Sequence, residues 1–109
     1  MTIAKIRKRD GREVPFDADK IENAIFRAFQ ASSSAKGHET ARALTEQVVA
    51  ELENNENVSS IPSVEQVQDA VERVLIEKGF VRSAKAYILY RAERSRVREM
   101  NTRLMKTFE

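Results

Sequence analysis

Residues Ile6–Ile21 read IRKRDGREVPFDADKI, and the two halves of this stretch ask for different secondary structure. Upstream, residues 2–9 alternate in part, with Ile3 and Ala4 followed by Ile6, and Asp10-Gly11 is a turn signal of the two-residue hairpin type. The return segment REVPF is short. Pro15 confines it to an edge, or to the last residues of a strand, because proline has no N–H to give a ladder. Asp17 then offers an N-cap, and Ile21, Ala24, Ile25, Ala28 and Phe29 recur at helix spacing. The stretch predicts a hairpin over 3–16, strand 3–9 with strand 12–16, leading straight into a helix over about 18–31. At its tip stand three consecutive cations, Arg7, Lys8 and Arg9, a crowding of like charge that a bound anion would relieve.

Working outward, Ser32-Ser33-Ser34-Ala35-Lys36-Gly37 ends the first helix. A second, about 39–55, carries Ala41, Leu44, Val48 and Leu52 as its apolar stripe and stops at Asn54-Asn55-Glu56-Asn57. Val58 to Ile61 is expected to form a short third strand. Ser63 followed by Gln66 is a capping box, with Pro62 just before it, and opens a third helix over about 64–78. Val67, Ala70, Val71, Val74 and Leu75 face inward on that helix, and Gly79 supplies the left-handed position that closes it. A fourth helix, about 83–105, begins near Ser83 with Ala84, Tyr87 and Ile88 and continues into a basic stretch. The expected fold class is α+β, mainly α: a four-helix bundle capped by a small hairpin or three-stranded sheet.

Composition removes several functions. With 109 residues the chain has room for one domain. An apolar content of 41% and a charged content of 33% describe a soluble helical protein. No apolar run approaches a bilayer span, so no membrane is expected and the cytoplasm is the expected compartment. The absence of cysteine excludes thiol chemistry, disulfides and thiolate metal sites within these residues. His38, the one histidine, has no second imidazole with which to share a metal and reads as a surface or helix-start residue. Glu46, Glu51, Glu53 and Glu56 lie at exposed helix positions and read as solvated faces. Neither catalytic residues nor a metal site is expected. Three glycines are too few for a phosphate cradle of backbone alone, so an anion site must use side chains, with a helix N-terminus in support.

The net charge of +2 conceals basic ends and an acidic middle. Lys8 and Arg9 flank the turn, and Lys20 stands on the first turn of the following helix. There its charge opposes the helix dipole by a few tenths of a kcal/mol, roughly. The three can converge on one anion, or they can be an exposed basic hairpin. On the fourth helix Arg91, Arg94, Arg96 and Arg98 could grip nucleic-acid phosphates. However, Tyr87 and Phe29 fall on apolar stripes, and nothing resembles aromatic stacking platforms between basic groups.

Four blocks together resemble one known family. They are Ile-x-Lys-Arg-Asp-Gly (6–11), Phe-Asp-x-x-Lys-Ile (16–21), Ile-Pro-Ser-Val-Glu-x-Val-Gln-Asp (61–69) and Ala-Lys-Ala-Tyr-Ile-Leu-Tyr-Arg (84–91). In this order, over roughly 3–95, they are similar to the ATP-cone domain. The resemblance implies a four-helix bundle capped by a small sheet, and an allosteric domain that senses ATP or dATP, with Mg²⁺, to control the overall activity of ribonucleotide reductase. The ending AKAYILYRAERSRVRE most resembles the N-terminal regulatory domain of an anaerobic (class III) enzyme, with an adenosylcobalamin-dependent enzyme as the alternative. The resemblance therefore implies a single cone over residues 1–109, excised from a larger ribonucleoside-triphosphate reductase and without an active site of its own. Carried over by position, Lys8, Arg9 and Lys20 would contact phosphates and Ile6 would line the base pocket. Val64 and Gln68 would contribute from the third helix, where polar or charged residues often stand in aerobic reductases. Arg91 would be a further phosphate ligand, with Tyr90 facing the same pocket. Implied partners are a nucleoside triphosphate, the reductase catalytic core and a second cone. A nucleic-acid-binding or dimerisation module built on the basic fourth helix is the alternative.

Overall fold

The computed structural model describes residues 3–55 and 57–108, with side chains throughout except at 98 and 101–108. Glu56 and the side chain of Arg98 thus lie outside the described residues.

Strands β1 (Lys5–Arg7) and β2 (Glu13–Pro15) pair antiparallel, with Ile6 opposite Val14. That central pair is half-buried while Lys5, Arg7, Glu13 and Pro15 are exposed, the alternation of a ribbon with one face on the core. The turn is longer than its Asp-Gly pair suggested. Gly11 N–H donates to the Lys8 carbonyl at 3.0 Å and Lys8 N–H to the Arg12 carbonyl at 2.7 Å, which closes a three-residue loop, Arg9 to Gly11. Gly11 takes the left-handed conformation, φ 91°, that such a loop needs at its last position. Asp10 accepts the Arg12 N–H at 3.0 Å, so its carboxylate serves the turn.

The expected third strand over Val58–Ile61 does not form. The segment makes one parallel bridge, Ser63 with Arg7, and the Arg7 N–H donates to the Pro62 carbonyl at 2.9 Å. Pro62 has no N–H with which to extend a ladder, and the Ser59 hydroxyl bonds back to Ile61. Among the described residues the sheet has two strands.

Four helices follow: α1 (Ala18–Ala31), α2 (His38–Asn54), α3 (Val64–Glu77) and α4 (Val81–Phe108). Asp17 caps α1 by accepting the Asp19 N–H, and Ser63 and Gln66 make both bonds of the capping box on α3. Each helix packs on two others, α1 on α2, α2 on α3, α3 on α4 and α4 back on α1. The ring encloses Ile25, Phe29, Val48, Val71 and Leu75, each fully buried and each stabilising by about 1.5–3 kcal/mol.

Helix α4 departs from its expected start and from part of its expected core face. After α3, Phe80 N–H donates to Leu75 and Gly79 N–H to Ile76, with Gly79 at φ 87°, a closure that lets α4 begin at Val81 without a side-chain cap. Ser83 therefore lies inside the helix, buried, 2.9 Å from the Ser32 hydroxyl at the end of α1. Ala84 and Tyr87 point inward, but Ile88 is exposed. At 1.5 Å per residue the 28 residues of α4 span about 42 Å, twice the length of α1 or α3. Because Ser32 and Ser83 join the end of α1 to the start of α4, and Gly79 turns α3 into α4, the N-termini of α1 and α3 lie at the same end of the bundle as the hairpin. No described helix is long and apolar enough to cross a membrane.

Candidate functional site

The hairpin end gathers cations from separate elements onto one face of α3. Arg9, at the first position of the turn, is aimed away from its own strands. Its Nε donates to Glu65 Oε1 at 2.7 Å and its Nη1 to Ser95 Oγ at 2.8 Å. One guanidinium therefore joins the hairpin, the first turn of α3 and the middle of α4. One helical turn back along α4, Arg91 Nη1 donates to Asp69 Oδ1 and to Glu72 Oε1, each at 2.8 Å. Residues 65, 69 and 72 share a face of α3, as 91 and 95 share a face of α4, so the pairings follow from helical spacing.

The Arg91 side chain is only 21% exposed. Partial burial acts to lower its pKa, but the hydrogen bonds and charges of Asp69 and Glu72 outweigh this and raise it, so the guanidinium remains charged where it is. On the same face of α3, Gln68 Oε1 is buried with no hydrogen-bond donor among the described residues. An unmet buried carbonyl costs about 1–3 kcal/mol, which a ligand N–H or O–H reaching it would recover.

The remaining residues singled out from the sequence are distributed around this centre. Ile6 packs on the edge of the core from β1, and Val64 is half-buried at the first position of α3. Lys8 is half-buried and Lys20 exposed, and neither forms an ion pair among the described residues. Tyr90 does not share a face with Arg91. It lies two turns on from Ser83, which faces α1, and its hydroxyl accepts from Arg94 at 3.1 Å while the Arg94 guanidinium stands 5.8 Å from its ring. The set thus divides, with Arg9, Gln68 and Arg91 around α3 and Tyr90 on the α1 flank of α4.

Sequence reasoning missed the partners. Glu65, Asp69, Glu72 and Ser95 hold the two arginines, and none was singled out. The available signal was the i, i+4, i+7 spacing of three carboxylates on α3 opposite an i, i+4 arginine–serine pair on α4. His38 is the first residue of α2, stacked on Phe26 with centroids 3.8 Å apart and Nδ1 3.4 Å from Glu22. A groove of about 320 Å³ between α1 and α2 is lined by Asp19, Glu22, Glu46 and Arg42. It contains none of the residues expected to bind and carries more acid than base. Within the described residues, no group of three or more His, Cys, Asp or Glu side chains is arranged to hold a metal ion.

Comparison with known proteins bears on what such an end is for. Residues 4–96 match the family described as the ATP cone domain. The chain is 41% identical over 102 residues to the vitamin B12-dependent ribonucleoside-diphosphate reductase of Thermoplasma acidophilum, covering 89% of this chain and 13% of that protein. It is 39% identical over 99 residues to the ribonucleoside-diphosphate reductase subunit alpha of Chlamydia muridarum, covering 84% and 10% respectively. It is 35% identical over 100 residues to the anaerobic ribonucleoside-triphosphate reductase of Salmonella typhimurium, covering 91% and 13%. The chain spans about an eighth of the length of such relatives.

Proposed function

The chain belongs to the ATP cone domain family, and on that premise we propose that it is an allosteric nucleotide-binding domain, taking ATP or dATP, that controls a ribonucleotide reductase of which it forms a part. The observation that carries this reading is the meeting of Arg9 and Arg91 on α3 beside the unpartnered carbonyl of Gln68. Two guanidiniums from different elements suit a polyphosphate, whose oxygens accept paired N–H bonds. An amide carbonyl beside them suits the amino group of a base or a sugar hydroxyl. Lys8 lies next to Arg9, and Lys20, otherwise unfavourable near the start of α1, gains a counter-charge when the phosphates are bound. Ile6 and Val64 provide apolar surface at the mouth, and Tyr90 bounds the α1 side. Magnesium would arrive with the nucleotide, keeping most of its water and bound through the phosphates.

Control requires two states that differ in nucleotide affinity and in an outward surface. ATP and dATP differ by one hydroxyl, and a site that hydrogen-bonds that hydroxyl separates them far better than an apolar pocket does. Arg9 ties the hairpin to α4 through Ser95 and Arg91 ties α4 to α3, and a coupling of about 1–3 kcal/mol through such ties is typical. The relatives include B12-dependent, subunit-alpha and anaerobic reductases, so the role is read at the level of the family. The catalytic core of a reductase and a second cone are the proposed partners of the surface that changes.

Calorimetric titration with dATP, and separately with ATP, in the presence of Mg²⁺ tests the reading. The expected result is micromolar binding, about −8 kcal/mol, with the stoichiometry giving the number of nucleotides per domain. Lys8→Ala and Arg9→Ala should each weaken binding about tenfold while leaving helical circular dichroism intact. Binding that survives both substitutions removes the phosphate assignment. No heat with either nucleotide removes the function.

A further inference from the structure

The cation aimed at the ligand is already held by an anion of the chain itself. Arg9 Nε and Glu65 Oε1 are 2.7 Å apart, a close charge-assisted contact, and both side chains are about two-fifths exposed. Glu65 stands in the first turn of α3, where the helix dipole favours negative charge, so its carboxylate occupies ground that suits a phosphate oxygen. The other edge of the same guanidinium is fixed by Ser95 of α4. An incoming phosphate oxygen and the Glu65 carboxylate therefore compete for the same N–H groups.

We infer that Glu65 is an internal competitor that sets the affinity of the anion site, holding Arg9 in the ligand-free domain and giving it up when a polyphosphate binds. This rests on the proposed nucleotide-binding role. Arg91 differs, because it has two carboxylates and is mostly enclosed, so it can keep one partner while turning to a phosphate. Arg9 has one carboxylate and one hydroxyl. Its transfer from Glu65 and Ser95 to the ligand loosens the hairpin from α3 and α4 together, which links occupancy of the site to the long helix. Ser95 is thus a positioning residue that acts through Arg9.

The test compares wild type with Glu65→Gln, which keeps size and hydrogen bonding but removes the charge, by calorimetry with dATP and with inorganic tripolyphosphate. Both ligands should bind Glu65→Gln more tightly, by about two- to fivefold, the worth of one partly exposed ion pair. Glu65→Asp keeps the charge but shortens its reach, and should fall between the two. Glu51→Gln makes the same change in net charge at the Arg73 pair between α2 and α3, away from the site, and should leave affinity unchanged. Amide exchange around residues 91–96 should rise on nucleotide binding in wild type and already be raised in ligand-free Glu65→Gln. Wild-type binding with equal or weaker binding by both Glu65 variants overturns the inference but leaves the function standing. Tightening by Glu51→Gln of the same size as by Glu65→Gln also overturns it, since net charge would then explain the effect. No binding by wild type or any variant overturns both.

Discussion

Among the described residues three helix pairs carry a charged bridge, and those of α3 with α4 and of α1 with α2 differ in what they enclose. Between α3 and α4 a cation is enclosed together with one of its carboxylates: Arg91 is 21% exposed and Glu72 23%, against 54% for Asp69. Between α1 and α2 the enclosed group is an anion: Glu22 is 13% exposed, while Arg42 lies in solvent at 72%. The first arrangement holds a guanidinium that can keep Glu72 while an incoming anion replaces the exposed Asp69. The second leaves a fixed negative charge beside a groove lined with further acids. The groove carries more acid than base, which disfavours a polyphosphate there.

The comparison is broken most severely at Arg91. Arg91→Met keeps the apolar stem that packs between α3 and α4 and removes the guanidinium, leaving Asp69 and Glu72 without their shared donor. We expect dATP affinity to fall tenfold or more, roughly, and stability to drop by about 1–2 kcal/mol, since hydrogen bonds between charged groups on a partly enclosed residue are lost. Calorimetry and urea unfolding measure the two effects separately. Unchanged affinity would show that the enclosed cation serves structure alone.

A smaller effect, with opposite signs in the two states, is expected at Gln68. Its buried Oε1 has no donor among the described residues, so Gln68→Leu removes an unmet polar group and should stabilise the ligand-free domain by about 1 kcal/mol. The same change should weaken nucleotide binding by a similar amount, because the acceptor is gone. A thermal melt with and without dATP reads both at once, as a higher midpoint for the variant alone and a smaller shift on adding nucleotide. A variant that loses stability without ligand would mean that Gln68 already has a partner.

Much of this architecture could be read in advance, and the exceptions have physical reasons. The stripes of α1, α2 and α3 mark their buried faces because each helix is half in the core and half in water. Asp17 and Ser63 mark helix starts because their side chains meet backbone N–H groups that nothing else meets. The turn was misjudged in length because Asp-Gly suits both a two-residue turn and the end of a three-residue loop, and only the Lys8–Arg12 register distinguishes them. The start of α4 was placed late, near Ser83, because a Gly79 closure needs no cap residue and so leaves no side-chain signal at Val81. At the candidate site, the cations stand out in the sequence as local clusters. Their carboxylate partners do not, because periodicity says which residues share a face of α3 but not which neighbouring helix that face meets.

The smallest expected effect concerns the enclosed anion, where pH provides the probe. The Arg42 hydrogen bond is the largest influence on the Glu22 carboxyl; with the Arg42 charge and the His38 contact it outweighs burial and holds the pKa below its ordinary 4.5. A carboxyl that is harder to protonate when folded stabilises the fold above its unfolded pKa, and that contribution disappears as pH falls through the lower folded value. Wild type should therefore lose stability on acidification below about pH 4.5, and Glu22→Gln, less stable at neutral pH, should lose less over the same interval. Arg42→Gln should shrink the difference, because the leading cause of the lowered pKa is then removed. Urea midpoints between pH 7 and pH 3 measure all three. Nucleotide affinity at neutral pH should be the same in Glu22→Gln as in wild type, since this bridge lies between α1 and α2, away from Arg9 and Arg91. A change in affinity there would mean that the two enclosed charges act on each other through the bundle, and that the anion site is not confined to the hairpin end.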